Sequence, residues 1–466
     1  MSTAVASFET VDPATGEVLA TLPLGSEAEV DEAVERAREA QGAWAAVDPT
    51  ERTRLLVRLS QAIDEHADEL AELESRDVGK PIREARSRDL AFASQTWLYY
   101  AGWPTKLLGT TNPAAPGIFT YTLREPVGVV GVITPWNFPL VISSWKLAAA
   151  LACGNTVVHK PAEEAPLTSL RLAELAREVG FPEGVWNVVT GDGTTGAALA
   201  AHPRLEKIAF TGSTDVGRQI QEAAAGSNLK RLTLELGGKS ANVVLDDADL
   251  DKALAGAMSS TFRNQGQICT AGARLVVHER VADELVGRLA EQVGAIRLGR
   301  GLDPETQMGP LVSARQRDRV LALYASAVQE GAEAVVGGGA ARVEGYPDGF
   351  FVQPTIFDRT ENDMLVNQEE IFGPAVAVIR VADEDEAVAV ANDTEFGLAA
   401  AVWTRDGARA HRVARALRAG TVWVNTYGGL DAYSTFSGRG LSGYGYELGP
   451  ESIGEYTVLK TVKNAV

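Results

Sequence analysis

Two cysteines occur in this chain of 466 residues, and their neighbours give them different chemistry. Cys153 follows Leu147-Ala-Ala-Ala-Leu-Ala152, an apolar run in which a thiol is a small packed hydrophobe. Cys269 lies in Asn264-Gln-Gly-Gln-Ile-Cys-Thr-Ala-Gly272, a polar stretch without helical periodicity, where backbone amides can stabilise a thiolate. Glu235 sits in Leu232-Thr-Leu-Glu-Leu236, just before Gly237 and Gly238; the leucines share one face and leave Thr233 and Glu235 on the other. Partial desolvation there raises a carboxylate's pKa toward the range in which a general base acts on water, although a solvated or ion-paired strand glutamate fits the same pattern. In Pro135-Trp-Asn-Phe-Pro139 two prolines frame Asn137, whose amide can either stabilise a developing oxyanion, commonly worth about 3 to 4 kcal/mol, or satisfy loop backbone groups. The five histidines have no partner at metal-ligand spacing and no second cysteine lies near Cys269, so no metal is expected and a Cys-His protease is disfavoured.

Two glycine-rich segments can bind anions. Gly191, Gly193 and Gly196 form a G-x-G-x-x-G between a strand and a helix, the context of a dinucleotide fingerprint. No acidic residue closes the next strand, Lys207-Ile-Ala-Phe210, so a plain glycine-rich turn competes with that reading. Gly212-Ser213-Thr214-Asp215-Val216-Gly217 is the stronger phosphate candidate, because its small residues leave helix amides and the Ser213 hydroxyl open. A helix N-cap uses the same amides and explains the segment equally well.

These groups need elements to hold them. The Ser26/Glu29 capping box starts a helix reaching about Ala46, apolar spacing from Leu55 to Leu73 predicts a second ending at Asp77, and a third spans about Arg83 to Leu108. Phe119, Tyr121 and Leu123 alternate as an exposed strand or β-arm. From Val127 strands and helices alternate, predicting a parallel sheet covered on both faces that binds nucleotides at the carboxyl ends of its strands; a second such series is expected from Leu232. At about 150 residues per domain the length predicts three domains, or one large enzyme with subdomains. Hydrophobic residues at 45% and charged residues at 23% are ordinary for a folded globular chain. The formal charge of −19 repels phosphate backbones and anionic lipid, so neither a nucleic-acid nor a membrane partner is expected. Prolines and polar residues interrupt the most apolar stretch, Val127 to Val158, which reads as core. Met1 to Thr10 has no leader pattern, and two cysteines make no disulfide framework; a reducing, cytoplasmic setting is expected.

Taken jointly, Pro135-Trp-Asn-Phe-Pro139, Lys160-Pro-Ala-Glu163, Phe210-Thr-Gly-Ser213, Leu234-Glu-Leu-Gly-Gly-Lys239, Gly266-Gln-Ile-Cys269 and Glu369-Glu-Ile-Phe-Gly-Pro374 resemble, in order and spacing, the NAD(P)-dependent aldehyde dehydrogenase superfamily. The resemblance reaches from the N-terminal helices to Glu447-Leu-Gly-Pro450. It implies an α/β fold with a Rossmann-type cofactor domain (1–107 and 127–236), an α/β catalytic domain (237–440), and an oligomerisation arm and tail (108–126 and 441–466) that make a homodimer or homotetramer.

By the same resemblance Cys269 matches the nucleophile, Glu235 the base that activates water for thioester hydrolysis, and Asn137 the oxyanion donor, joined by the Cys269 amide. Lys146 matches a lysine that relays protons in some members, or is a buried structural lysine. Lys160 and Glu163 match adenosine-ribose contacts; Trp136 and Ser213 match the pyrophosphate path, with Gly212 and Gly217 of the same glycine-rich segment also counted as cofactor-binding; Gly193 resembles a glycine near the adenine, and Glu370 and Phe372 match the nicotinamide side. Glu163 would accept ribose hydroxyls and repel a 2′-phosphate, favouring NAD over NADP. Phe138, Trp145 and Phe436 match the wall of an aldehyde tunnel, implying an apolar or aromatic small-molecule aldehyde. Arg263 matches a carboxylate-binding arginine of semialdehyde dehydrogenases, but Trp145 replaces that subgroup's second arginine. Thr435-Phe-Ser-Gly-Arg-Gly-Leu-Ser-Gly443 departs from the usual motif in its missing proline and lysine. Two other readings are a non-catalytic protein that keeps the fold, opposed by intact Cys269, Glu235 and Asn137, and an acylating enzyme using coenzyme A, opposed by Glu235.

Overall fold

The computed structural model describes residues 6–466, so the leader reading of Met1–Thr10 falls partly outside the described residues. Ser26 and Glu29 close the expected capping box, and the helix Glu27–Ala45 buries Val30, Ala33, Val34, Ala37 and Trp44. The second expected helix is two, Pro49–Glu65 and Ala67–Val78, because His66 adopts a non-helical φ of −101° and ψ of 21°. Gly79 ends the pair in the left-handed region (φ 86°), as its lack of a Cβ allows. The third expected helix is also broken: a π-helical turn, Ala85–Asp89, precedes the helix Leu90–Ala101, and a 3₁₀ turn covers Pro104–Lys106. Asp89 of the π turn meets the wholly buried Lys80 at 2.7 Å, and Glu74 meets the same ammonium at 3.0 Å. Buried charges of this kind must be paired, so tertiary contacts override helical periodicity here.

The strands in chain order are β1 (Ser7–Val11), β2 (Val18–Pro23), β3 (Thr111–Asn112), β4 (Ile118–Pro126), β5 (Val129–Ile133), β6 (Thr156–Lys160), β7 (Trp186–Val188), β8 (Lys207–Thr211), β9 (Arg231–Glu235), β10 (Ala241–Val244), β11 (Arg274–His278), β12 (Glu333–Val336), β13 (Thr355–Asp358), β14 (Ala375–Val381), β15 (Ala399–Trp403), β16 (Thr421–Val424), β17 (Gly443–Tyr444) and β18 (Thr457–Ala465). β1 and β2 form a hairpin. The first large sheet has the order β17-β9-β8-β5-β6-β7, the second β12-β13-β14-β11-β10-β15-β16, and β18-β4-β3 make the arm. In the large sheets every pairing is parallel except β17 on β9 and β12 on β13.

Two expectations change. The second series starts at β10 and not at Leu232: β9 lies beside β8, with Thr211 opposite Glu235, and its Leu234 packs with Phe210 and Ile220 of the first sheet's layer. The segment 441–466 divides, since Gly443–Tyr444 extends the first sheet through β9 and only Thr457–Ala465 pairs with the arm strand β4.

This topology sets the site. The chain runs from β5 outward to β6 and β7, then returns to place β8 and β9 on the other side of β5. The order therefore reverses between β5 and β8, the place beyond the strand ends where sheets of this kind bind ligands. Pro135-Trp-Asn-Phe138 follows β5, and Gly212-Ser213 follows β8. The second sheet presents its opposite end: Gly238, Cys269, Glu370 and Leu398 each lie just before one of the parallel strands β10, β11, β14 and β15. No helix among the described residues is long and apolar enough to cross a membrane.

Candidate active site

Glu235 ends β9 at 3% exposure, with neither carboxylate oxygen hydrogen-bonded. Its main chain is clamped: its carbonyl accepts the Gly212 N–H at 3.1 Å, and Gly443 pairs with it from the other side. Burial raises its pKa well above the ordinary carboxylate range and Glu447 pushes the same way, while Lys146 offsets part of the rise. The desolvation is stronger than the alternation in Leu232–Leu236 implies, because α-helical and C-terminal segments distant in sequence close over it.

Cys269 follows three successive residues of positive φ, Asn264 (44°), Gln265 (56°) and Gly266 (70°). Asparagine and glutamine there are strained, and the surroundings hold them: Gln265 Nε2 donates to the Pro310 carbonyl at 2.8 Å, and the Val312 N–H donates to Gln267 Oε1 at 3.1 Å. A Cβ at Gly238 would stand 2.6 Å from the Cys269 carbonyl oxygen, so only glycine allows this approach. The thiol keeps a partly exposed edge but is densely surrounded. Burial pushes it up to about 12, the carboxylates of Glu370 and Glu235 add to the rise, and the amides of Thr270 and Cys269 oppose it. The amides that favour a thiolate are present, and burial and two acids oppose them. Cys153 is buried in the first core as expected, its thiol also pushed up to about 12 by burial.

Asn137 is 2% exposed, and its Nδ2 donates to the Gln267 carbonyl at 2.9 Å, two residues before the cysteine. An amide nitrogen carries two hydrogens, so one fixes the loop and the other remains to donate. The two roles weighed for Asn137 are compatible in one side chain. Phe138, Trp145, Phe436 and Cys269 share one apolar cluster with Val141, Ile142, Leu398 and Leu448. Trp145 lies 5.7 Å from both Phe92 and Phe436, ring centre to ring centre. Phe92 and Leu430 also join this wall. Neither stands out in the sequence, since each reaches the cluster only through tertiary folding.

The residues read as cofactor contacts lie at or beyond the ends of β5, β6, β7 and β8, or just before β14. Lys160 ends β6, 5% exposed, with its Nζ 3.2 Å from Glu163. Gly196 would bring a Cβ within 3.8 Å of the Lys160 side chain, whereas Gly193 at the start of its helix faces open space. Asp192 caps that helix through the Thr194 N–H, and the Gly25 backbone lies against Val189 and Thr190. Ser213 caps the helix Thr214–Gly226, accepting from the Val216 N–H at 3.4 Å, so its capping role is realised while its hydroxyl hydrogen stays available. Gly217 lies against Leu236, leaving no room for a side chain. Trp136 and Phe372 meet edge to face at 5.1 Å, and Glu370 Oε1 accepts the Gly238 N–H at 2.9 Å.

Lys146 lies in the helix Pro139–Ala152, every residue of which is buried, and meets Glu447 Oε1 at 2.5 Å. Glu447 was not among the expected site residues; its partner lies 301 positions away, beyond any local pattern. Arg263 is half-buried with its Nε unpartnered. Burial lowers its pKa, and Glu84 pulls the other way.

Glu370 gives the site a signature in stability. Burial raises its pKa to about 7, against the opposing Gly238 N–H and the Arg319 and Lys239 charges. An acid whose folded pKa is raised binds its proton more tightly when folded. Its contribution is therefore fully present below pH 4.5 and is lost as pH rises toward 7, a change of about 3 kcal/mol. Glu370→Gln, which retains an acceptor for Gly238, should gain thermal midpoint over the parent progressively from pH 4.5 to 7 and level off above. Parallel midpoint curves across that range would contradict the burial assigned to Glu370.

Comparison with known proteins agrees with this architecture. Residues 1–462 match the model of the aldehyde dehydrogenase family. The chain is 48% identical to DhaS of Bacillus subtilis (strain 168) over 98% of its length and 92% of the relative. It is 46% identical to retinal dehydrogenase 2 of Homo sapiens over 98% of this chain and 88% of the relative. The NAD+ complex of an aldehyde dehydrogenase from Bacillus cereus superposes with a TM-score of 0.96 at 45% identity, covering 99% of this chain and 94% of that one. The chain belongs to the aldehyde dehydrogenase family.

Proposed function

We propose that the chain oxidises an apolar or aromatic aldehyde to its carboxylic acid with NAD. The observation that carries this reading is the convergence of Cys269, Asn137 and Glu235, with the thiol held against an apolar wall and within the field of Glu235. The residues present fit NAD: Lys160 and Glu163 offer a donor and an acceptor side by side for a ribose diol, Gly193 leaves open space at a helix start, and Ser213 keeps a donor at another. Trp136, Gly212 and Gly217 would lie along the pyrophosphate, and Glu370 and Phe372 beside the nicotinamide. Solved relatives carry NAD+, which supports the assignment. The chemistry that NAD supplies when bound is acceptance of a hydride.

The chain's own groups do the rest. Glu235 takes the Cys269 thiol proton, the sulfur bonds to the carbonyl carbon as the C=O π pair moves onto oxygen, and the resulting oxyanion is held by the Asn137 amide and the Cys269 N–H. Cys269 carries the substrate as a thiohemiacetal before oxidation and as a thioester after it. After losing that proton to solvent, Glu235 takes one from water, the hydroxyl oxygen bonds to the thioester carbon, and the C–S bond breaks to return the thiolate and release the acid. Lys146 offsets part of the rise in the Glu235 pKa and so assists its ionisation, while its partner Glu447 opposes it. We read residues 1–107 with 127–236 as the cofactor domain, 237–440 as the catalytic domain, and β4 with β18 as an arm whose unpaired edges a second copy would cover.

A carboxylated aldehyde is the second reading, favoured by the unpartnered Nε of half-buried Arg263. The continuous apolar wall of Phe92, Phe138, Trp145, Leu430 and Phe436 favours the first.

Cys269→Ala should abolish NADH formation from every aldehyde while NAD binding by calorimetry persists; retained turnover would remove Cys269 from the chemistry. With aliphatic, aromatic and carboxylated aldehydes compared by kcat/KM, the aromatic and aliphatic compounds should lead, with NAD preferred to NADP. A carboxylated aldehyde leading, and losing its advantage in Arg263→Met, would instead establish the second reading.

A further inference from the structure

Asn264 stands outside the proposed chemistry, yet it ties together the two loops that perform it. Its side-chain Nδ2 donates to the main-chain oxygen of Asn137 at 2.9 Å and to the Gln267 carbonyl at 3.3 Å. That same carbonyl accepts the Asn137 side chain. The contacts close a circuit from the Asn137 backbone through the Asn264 amide and the Gln267 carbonyl to the Asn137 side chain. Held at both its carbonyl and its Nδ2, Asn137 has little freedom left at its side-chain torsions, so its remaining hydrogen has a defined direction.

The conformation of Asn264 is itself maintained from outside. It is 1% exposed, and its φ of 44° and ψ of 38° are left-handed, a region asparagine tolerates better than most residues. Its backbone N–H donates to Glu84 Oε2 at 3.1 Å. Glu84 immediately precedes the π turn Ala85–Asp89, which the Lys80–Asp89 pair anchors. The Lys80 ammonium also sits 4.5 Å from the centre of the Phe138 ring, one residue beyond Asn137. One buried set of charges thus braces the oxyanion loop at Phe138 and the nucleophile segment at Asn264.

We infer that Asn264, anchored by Glu84, is the positioning residue that aims the Asn137 amide at the developing oxyanion. This rests on the reading of Asn137 as the oxyanion donor. Asn264, 1% exposed and bonded to Asn137 and Gln267, acts through those two residues.

The test is a double-mutant cycle. Asn264→Gly keeps the positive φ without steric cost and removes only the bridging amide. It should lower kcat by about 10²-fold, the scale of a misplaced catalytic group, with the aldehyde KM and the NAD Kd nearly unchanged. On an Asn137→Ala background the same change should cost about twofold at most, because the amide it aims is gone. Should Asn264→Gly fold poorly, Asn264→Asp keeps size and left-handed tolerance while replacing the donor with an acceptor, and gives the same comparison. Glu84→Ala should lower kcat in the same way and not multiply with Asn264→Gly. Parental kcat in Asn264→Gly, or losses that multiply with Asn137→Ala, would overturn the inference. Parental kcat in Asn137→Ala alone would instead overturn the oxyanion reading beneath it.

Discussion

Opposite ends of two parallel sheets meet at a seam that gives charge little solvation, and this governs the chemistry of the molecule. Segments after β5 and β9 meet segments before β11 and β14: Asn137 bonds the Gln267 carbonyl, Gly238 bonds Glu370, and Glu235 and Glu370 both act on the Cys269 thiol. Burial raises the pKa of the Cys269 thiol, of Glu235 and of Glu370, so the protein alone favours their neutral forms. In the proposed reaction, formation of the thiolate and the oxyanion therefore depends on groups already aimed at them, with little help from water. This is why a fixed amide and a nearby ammonium matter more here than they would on a surface.

The same lack of solvation explains the supporting ion pairs. Lys146 with Glu447, and Lys80 with Glu74 and Asp89, have almost no exposed side-chain surface. Breaking one partner of such a set leaves a buried charge uncompensated, commonly a loss of about 3 to 5 kcal/mol. Each set also joins distant segments: the first links the helix Pro139–Ala152 to the C-terminal loop, and the second links the π turn to the Phe138 loop. Rigidity of the site follows from these tethers as well as from the sheets that carry it.

Much of this was legible in the sequence where the determining pattern is local. The contrast between the surroundings of Cys153 and Cys269, the alternation that separates Glu235 from its leucine neighbours, and the repeating strand-helix pattern each depend on a few adjacent residues. What escaped the sequence depends on long-range contact. The break at His66, the π turn at Ala85–Asp89 and the membership of β9 in the first sheet are tertiary outcomes. The loop at Cys269 suggested an ionised thiol because its amides are adjacent, whereas the opposing burial comes largely from segments more than a hundred residues away. Asn264 and Glu447 lie in segments the sequence marks, but their roles appear only when their distant partners are seen. The motif resemblance brought Phe138, Trp145 and Phe436 together, and folding added Phe92 and Leu430 to that wall.

The claim that Cys269 and Glu235 share one poorly solvated site is tested most directly by the pH dependence of Cys269 alkylation without cofactor, in the parent and in Glu235→Gln. The parent should react slowly at neutral pH and accelerate steadily in the alkaline range, and Glu235→Gln should shift that rise to lower pH by removing a negative charge beside the thiol. A parent already at full reactivity near pH 7, or profiles that coincide in the two proteins, would contradict the account.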